Sequence, residues 1–170
     1  DMAYIALFAI LIAVCAWISI PMTTISFTLQ TFAIFAALLT LGGRRGTYAV
    51  TVYLLLGAVG FPVFSGFQGG LGALLGATGG YIIGFLGSAL VYWLLTALAK
   101  DTLPVRITAC LLGLIVCYAF GTAWFMAVYP AGPMDVGAAV AMCVIPFILP
   151  DLVKIGLAVT LAQRVRKYLK

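Results

Sequence analysis

The sequence has no histidine and little acid, with four Asp and Glu against nine Lys and Arg in 170 residues. Without histidine the chain lacks the commonest general base and the commonest metal ligand. The scarcity of carboxylates disfavours a metal site further. Chemistry inside a membrane wants a nucleophile with a base, a paired carboxylate site or a metal cluster. No second acidic residue stands beside Asp151 in the sequence, so an intramembrane enzyme, for instance a transferase on a lipid-linked substrate, is poorly supplied. There is no Cys-x-x-Cys pair either. Cys15, Cys110, Cys117 and Cys143 each lie inside apolar segments and read as small buried hydrophobes. The glycine-rich stretch is followed by no Gly-Lys-Ser/Thr, which excludes a phosphate loop. The basic residues form no stripe with interleaved aromatics, which argues against nucleic acid.

Charge itself is scarce. Only 8% of the residues are charged, where a soluble domain carries about 25%. What is there instead is apolar: 65% of the chain, with a mean hydropathy of +1.25. Such a chain cannot cover its own surface in water, so its solvent must be mostly lipid, where every backbone polar group pairs internally. Long continuous apolar runs point to helices over a β-barrel. At about 20 residues per span the length holds roughly six spans in one bundle.

The predicted spans run over about 2–20, 32–41, 47–60, 74–98, 107–129 and from 151 onward. The first reads as a retained span, because it lacks a basic leader and a small-x-small cleavage site. Residues 21–31 read as an irregular, hydroxyl-rich connection, residues 61–72 as a glycine-rich loop, and residues 136–149 as a short interfacial or partly inserted piece. With the spans alternating, Arg44, Arg45, Lys100, Arg106, Arg164, Arg166, Lys167 and Lys170 fall on one side. That is eight of the nine basic residues, so this side is expected to be cytoplasmic, with both termini on it. Lys154 breaks the pattern.

Asp151 and Lys154 stand at i and i+3, on one face of a helix that Pro150 is expected to open. Two readings fit. One is an interfacial ion pair with Lys154 reaching to headgroups; the other is a polar clamp for a small amphipathic ligand. Gly72, Gly76, Gly80 and Gly84 recur every four residues, a stripe suited to close helix packing. Thr78-Gly79-Gly80-Tyr81 is also dense enough in glycine to bring backbone amides and a phenol next to a ligand. Ala9 and Ala13, with Ala6 and Ala16 near the same face, form a smooth strip for packing within the bundle or against another membrane subunit. Phe27, Phe61, Phe64, Phe67 and Tyr81 suit an interfacial belt or a pocket wall.

Several of these stretches resemble the BioY family, the biotin-specific substrate-binding (S) components of energy-coupling factor (ECF) vitamin transporters. The resemblance covers nearly the whole chain. It is carried by Phe27-Thr28-Leu29-Gln30-Thr31, by Leu41-Gly42-Gly43-Arg44-Arg45-Gly46, and by the run from Tyr53 to Phe64. It continues in Gly76-Ala77-Thr78-Gly79-Gly80-Tyr81, where family members commonly carry Pro in place of Ala77, and in Pro146-Phe147 followed by Asp151-Leu152-Val153-Lys154. The resemblance implies an all-α membrane protein of the ECF S-component fold, one domain over residues 1–170, multi-pass in the bacterial cell membrane. It implies a biotin pocket near the outer face, with Asp151, Lys154, Gln68, Thr78, Gly80 and Tyr81 as site residues. The loop after the first span would act as a lid, with Gln30 lining the pocket. Ala9 and Ala13 would meet the transmembrane coupling subunit, which joins two ATPase subunits. No catalysis and no cofactor are expected; biotin is the transported ligand. The alternative left by the residues is an S component or small transporter for another vitamin.

Overall fold

The computed structural model of the chain describes residues 2–21, 25–129, 132 and 134–167. Its axis is α2 (Gln30–Leu41). Between Thr31 and Thr40 this helix has no polar side chain, so it has no face to give to a polar solvent and must be surrounded. Ala33 through Leu39 are each 2% exposed or less. Around it pack α1 (Met2–Trp17), α3 (Gly43–Val59), α5 (Gly79–Leu98) and α8 (Ile145–Val165). The longest helix, α6 (Leu103–Val128), lies against α5.

The outward faces are apolar too. Leu7, Ile10, Leu94, Leu98, Leu149 and Leu157 are exposed, an arrangement that suits hydrocarbon. Three helices, α5, α6 and α8, are long and apolar enough to cross a membrane, while α1 and α2 are shorter apolar helices.

Several boundaries differ from expectation, each for a local reason. The expected first span ends as a helix at Trp17, and its last residues enter a small hairpin: β1 (Ser19–Pro21) pairs antiparallel with β2 (Ser26–Thr28), Ser19 opposite Thr28. The turn expected over Gly42–Gly46 needs only Gly42, whose φ of 85° suits glycine, so Arg44 and Arg45 sit in the first turn of α3. The expected fourth span divides. A short α4 (Leu71–Leu75) ends at Gly76, which is extended, and α5 begins at Gly79. The piece at 136–149 divides as well: α7 (Val136–Cys143) is capped by Asp135, which accepts from Gly137 N–H at 2.9 Å, and α8 already starts at Ile145. Pro146 stands in the first turn of α8, where its missing N–H costs nothing. Pro150 is therefore inside the helix rather than at its start.

The basic residues gather at one end. Arg166 Nε donates to Thr40 O at 3.3 Å, which ties the end of α8 to the end of α2. Gly43 packs on the backbone of Trp93, which brings in the last turns of α5. In the α5–α6 turn, Arg106 forks onto Asp101 at 2.5 and 2.6 Å, and these bonds hold the Asp101 carboxyl below its usual range. Met22, Thr23, Thr24, Pro130, Ala131, Pro133, Tyr168, Leu169 and Lys170, which the sequence reading assigned to loops or to the basic side, lie outside the described residues.

Candidate ligand-binding site

The starts of α2, α5 and α8 converge at the other end with β2 and the loop at 61–70. They enclose a cavity of ≈ 250 Å³. Ile25, Ile82, Phe85, Leu114 and Phe147 make its apolar walls. A few polar groups in such walls orient a compact ligand.

Asp151 and Lys154 are both 4% exposed, on one face of α8, with Nζ 2.8 Å from Oδ1. Each has further partners. Tyr118 on α6 donates its phenol to Asp151 Oδ2 at 2.5 Å. The ammonium of Lys154 donates to Thr28 O of β2 at 2.7 Å and stands 4.0 Å from the centroid of the Phe27 ring. Burial of this pair is tolerable because both oxygens of the carboxylate and the ammonium are satisfied. Since α8 starts at Ile145, Asp151 is beyond the first turn, and the helix dipole contributes little there. Tyr118 and Lys154 hold the carboxylate instead.

Across the cavity, Gln30 is 5% exposed at the first position of α2. Its Nε2 donates to Tyr53 Oη at 2.5 Å, and its Oε1 accepts from Thr28 Oγ1 at 3.0 Å. Tyr81, in the first turn of α5, shares a hydrogen bond of 2.8 Å with Thr122 of α6. Its ring lies against Gly121, where a Cβ would collide with it. Gln68 sits exposed on the loop and Thr78 just before α5, both on the cavity lining. Trp17 anchors that loop by donating to Pro62 O at 2.8 Å and stacking on Phe67 with centroids 5.2 Å apart.

A family model for the BioY family matches residues 1–170. The chain belongs to the BioY family. Among BioY relatives, the biotin transporter BioY of Thermotoga maritima is 40% identical over 161 residues, covering 95% of this chain and 92% of that one. The probable biotin transporter BioY of Pyrococcus horikoshii is 37% identical over 166 residues, covering 98% and 96%. A solved structure, the crystal structure at 2.1 Å of the S-component for biotin from an ECF-type ABC transporter, superposes with a TM-score of 0.84 at 25% identity. That match covers 98% of this chain and 90% of the other. The chain is a helical membrane protein of this fold.

In this BioY member the fold brings Asp151, Lys154, Gln30, Gln68, Thr78 and Tyr81 together on one cavity. Gly80 is not on its lining: it packs on Trp124 of α6, where a Cβ would meet the Trp124 side chain. The glycine stripe is likewise shared out, for Gly84 packs on Cys117 while Gly72 and Gly76 precede α5. Ala9 and Ala13 also need correction. They are 1% and 6% exposed and lie inside the bundle, because α1 turns its small face toward α2 and α3 and its Leu7, Ile10 and Val14 face outward. A buried alanine offers no docking surface. The sequence reading missed Tyr118, Thr28, Thr31, Tyr53 and Thr122. Thr28, Thr31 and Tyr53 stand inside the motifs that carry the family resemblance, but a hydroxyl in a sequence carries no signal of its partner.

Proposed function

We propose that the chain is the biotin-binding S component of an ECF importer, which captures biotin at the outer face and performs no catalysis. The observation that carries this reading is the arrangement around Asp151 and Lys154. The pair is neutral overall, and each member holds one bond that a ligand can replace: the Tyr118 phenol on Asp151 and the Thr28 carbonyl on Lys154. A neutral group that presents N–H donors beside a carbonyl acceptor matches both exchanges, and the ureido ring of biotin is such a group. Its bicycle suits the walls made by Ile82, Phe85, Leu114 and Phe147. The names of the BioY relatives and the fold of the solved S component support the same ligand.

The rest of the reading follows from the same chain. α1, α2, α3, α5, α6 and α8 are the six spans, crossing the bacterial cell membrane with both termini on the cytoplasmic side, where the basic end lies. A coupling subunit and two ATPase subunits supply the energy. Gln30, Gln68, Thr78 and Tyr81 complete the pocket, and the β1–β2 hairpin is its lid.

Calorimetry on the purified protein in detergent tests the ligand. Biotin is expected to bind 1:1, and Lys154→Ala to weaken binding by about tenfold or more, the loss of a charge-assisted bond. Heat with another vitamin and none with biotin would retain the class and overturn the substrate.

A further inference from the structure

The loop at 61–70 is held in a conformation that its sequence does not favour. Phe67 has a φ of 57°, in the left-handed region, and among the described residues it is the one non-glycine residue there. A bulky side chain at positive φ is strained and persists only where its surroundings over-determine it. Glycine adopts such a φ freely, as Gly66 does beside it at 68°, so what the phenyl ring adds is a contact. That contact is Trp17 at the end of α1: the two rings stack with centroids 5.2 Å apart and planes 24° apart. The indole N–H of Trp17 also donates to Pro62 O at 2.8 Å, near the start of the loop. A tryptophan of an interfacial belt points this N–H toward water or headgroups. Here it is spent on the loop.

The loop is fixed from inside as well. Phe64 is 1% exposed, with its ring on Gly57 and edge-on to Tyr53 at 5.6 Å, and its N–H donates to Gln68 O at 2.9 Å. The reversal at Gly66 and Phe67 returns the chain from Phe64 to Gln68, with Ser65, Gly66 and Gln68 on the cavity lining. Phe64 holds one side of this ring and Trp17 the other. The same end of α1 accepts Leu29 N–H at Cys15 O and Ile18 O, at 3.2 and 3.3 Å, which ties the loop to the segment carrying Thr28 and Gln30. We propose that Trp17 is a positioning residue for ligand binding: its stack on Phe67 keeps the left-handed turn that aims Gln68 into the cavity. Neither Trp17 nor Phe67 is on the lining, so the effect passes through the backbone from Phe67 to Gln68. This deepens the biotin reading and rests on it, since Gln68 is there part of the biotin pocket.

Calorimetry with biotin in detergent tests this on wild type and on single and double variants. Trp17→Leu is expected to weaken biotin by about fivefold, and Gln68→Ala by about as much. The double variant is expected to lose no more than about twofold beyond Gln68→Ala, because misdirecting a side chain already removed costs nothing. Phe67→Ala keeps the strain without the stack and is expected to lose about fivefold, whereas Phe67→Gly has neither and is expected to stay within about twofold of wild type. A residue that only packs would give the reverse order, since alanine retains a methyl group and a stiffer backbone. Losses that multiply in the double variant, no loss on Trp17→Leu or on Gln68→Ala, or Phe67→Ala binding as well as Phe67→Gly would overturn the proposal. Should Trp17→Leu fail to fold, the two Phe67 variants decide the question on their own. Wild type that binds no biotin would instead overturn the reading on which the proposal stands.

Discussion

Tyr118 donates to a carboxylate that is 4% exposed, and without that bond one oxygen of Asp151 would be buried unpaired. Tyr118→Phe keeps the ring and removes only the donor. It is expected to lower the stability of the unliganded protein by about 1–3 kcal/mol, read as a lower melting temperature in detergent. An unchanged melting temperature would mean that water or another group replaces the phenol without loss. At this scale the sequence speaks only where residues announce their own partners. Asp151 and Lys154 were readable because opposite charges three residues apart share a helix face, and because Lys154 departs from the charge pattern. Tyr118 lies 33 residues from Asp151 and Thr28 lies 126 from Lys154, distances that only packing can close. Gln30 was placed at the pocket through a motif, yet its bond to Tyr53 comes from the packing of α2 on α3.

For whole elements, composition reports that a helix exists more reliably than which way it faces. Each of the six apolar runs contains a helix, but α1 shows the limit. Its alanines form a smooth strip in the sequence, and such a strip serves an internal contact as well as an external one. The neighbours decide, and α1 turns Ala9 and Ala13 inward against α2 and α3. Ala9→Leu therefore forces three extra carbons into a filled interface. The expected cost is about 1–3 kcal/mol, seen as a lower melting temperature before any partner is added. Were the strip a docking surface alone, the isolated protein would melt as wild type does. The start of α8 was misplaced for a related reason: two prolines compete to open it, and Pro146 does so while Pro150 is accommodated within the helix.

Over the whole molecule, the polarity of the chain follows from simple sorting. Arg44, Arg45, Lys100, Arg106, Arg164, Arg166 and Lys167 lie at the α2–α3 turn, the α5–α6 turn and the end of α8, which pack together. The polar lining and Lys154 lie at the opposite end, where α2, α5 and α8 begin. The sequence pattern supplied this division, because charge and hydropathy act at the level of whole spans. It could not supply the cavity, which arises where β2, the loop at 61–70 and three helix starts meet. The account makes that cavity the place of recognition, with Asp151 and Lys154 at one end of the ligand. A structure determined with biotin bound tests this most directly. The account predicts the ureido ring within hydrogen-bonding distance of both Asp151 and Lys154, with the Tyr118 or Thr28 bond exchanged for it. Biotin bound elsewhere, with the Asp151–Lys154 pair and its bonds to Tyr118 and Thr28 untouched, would contradict it.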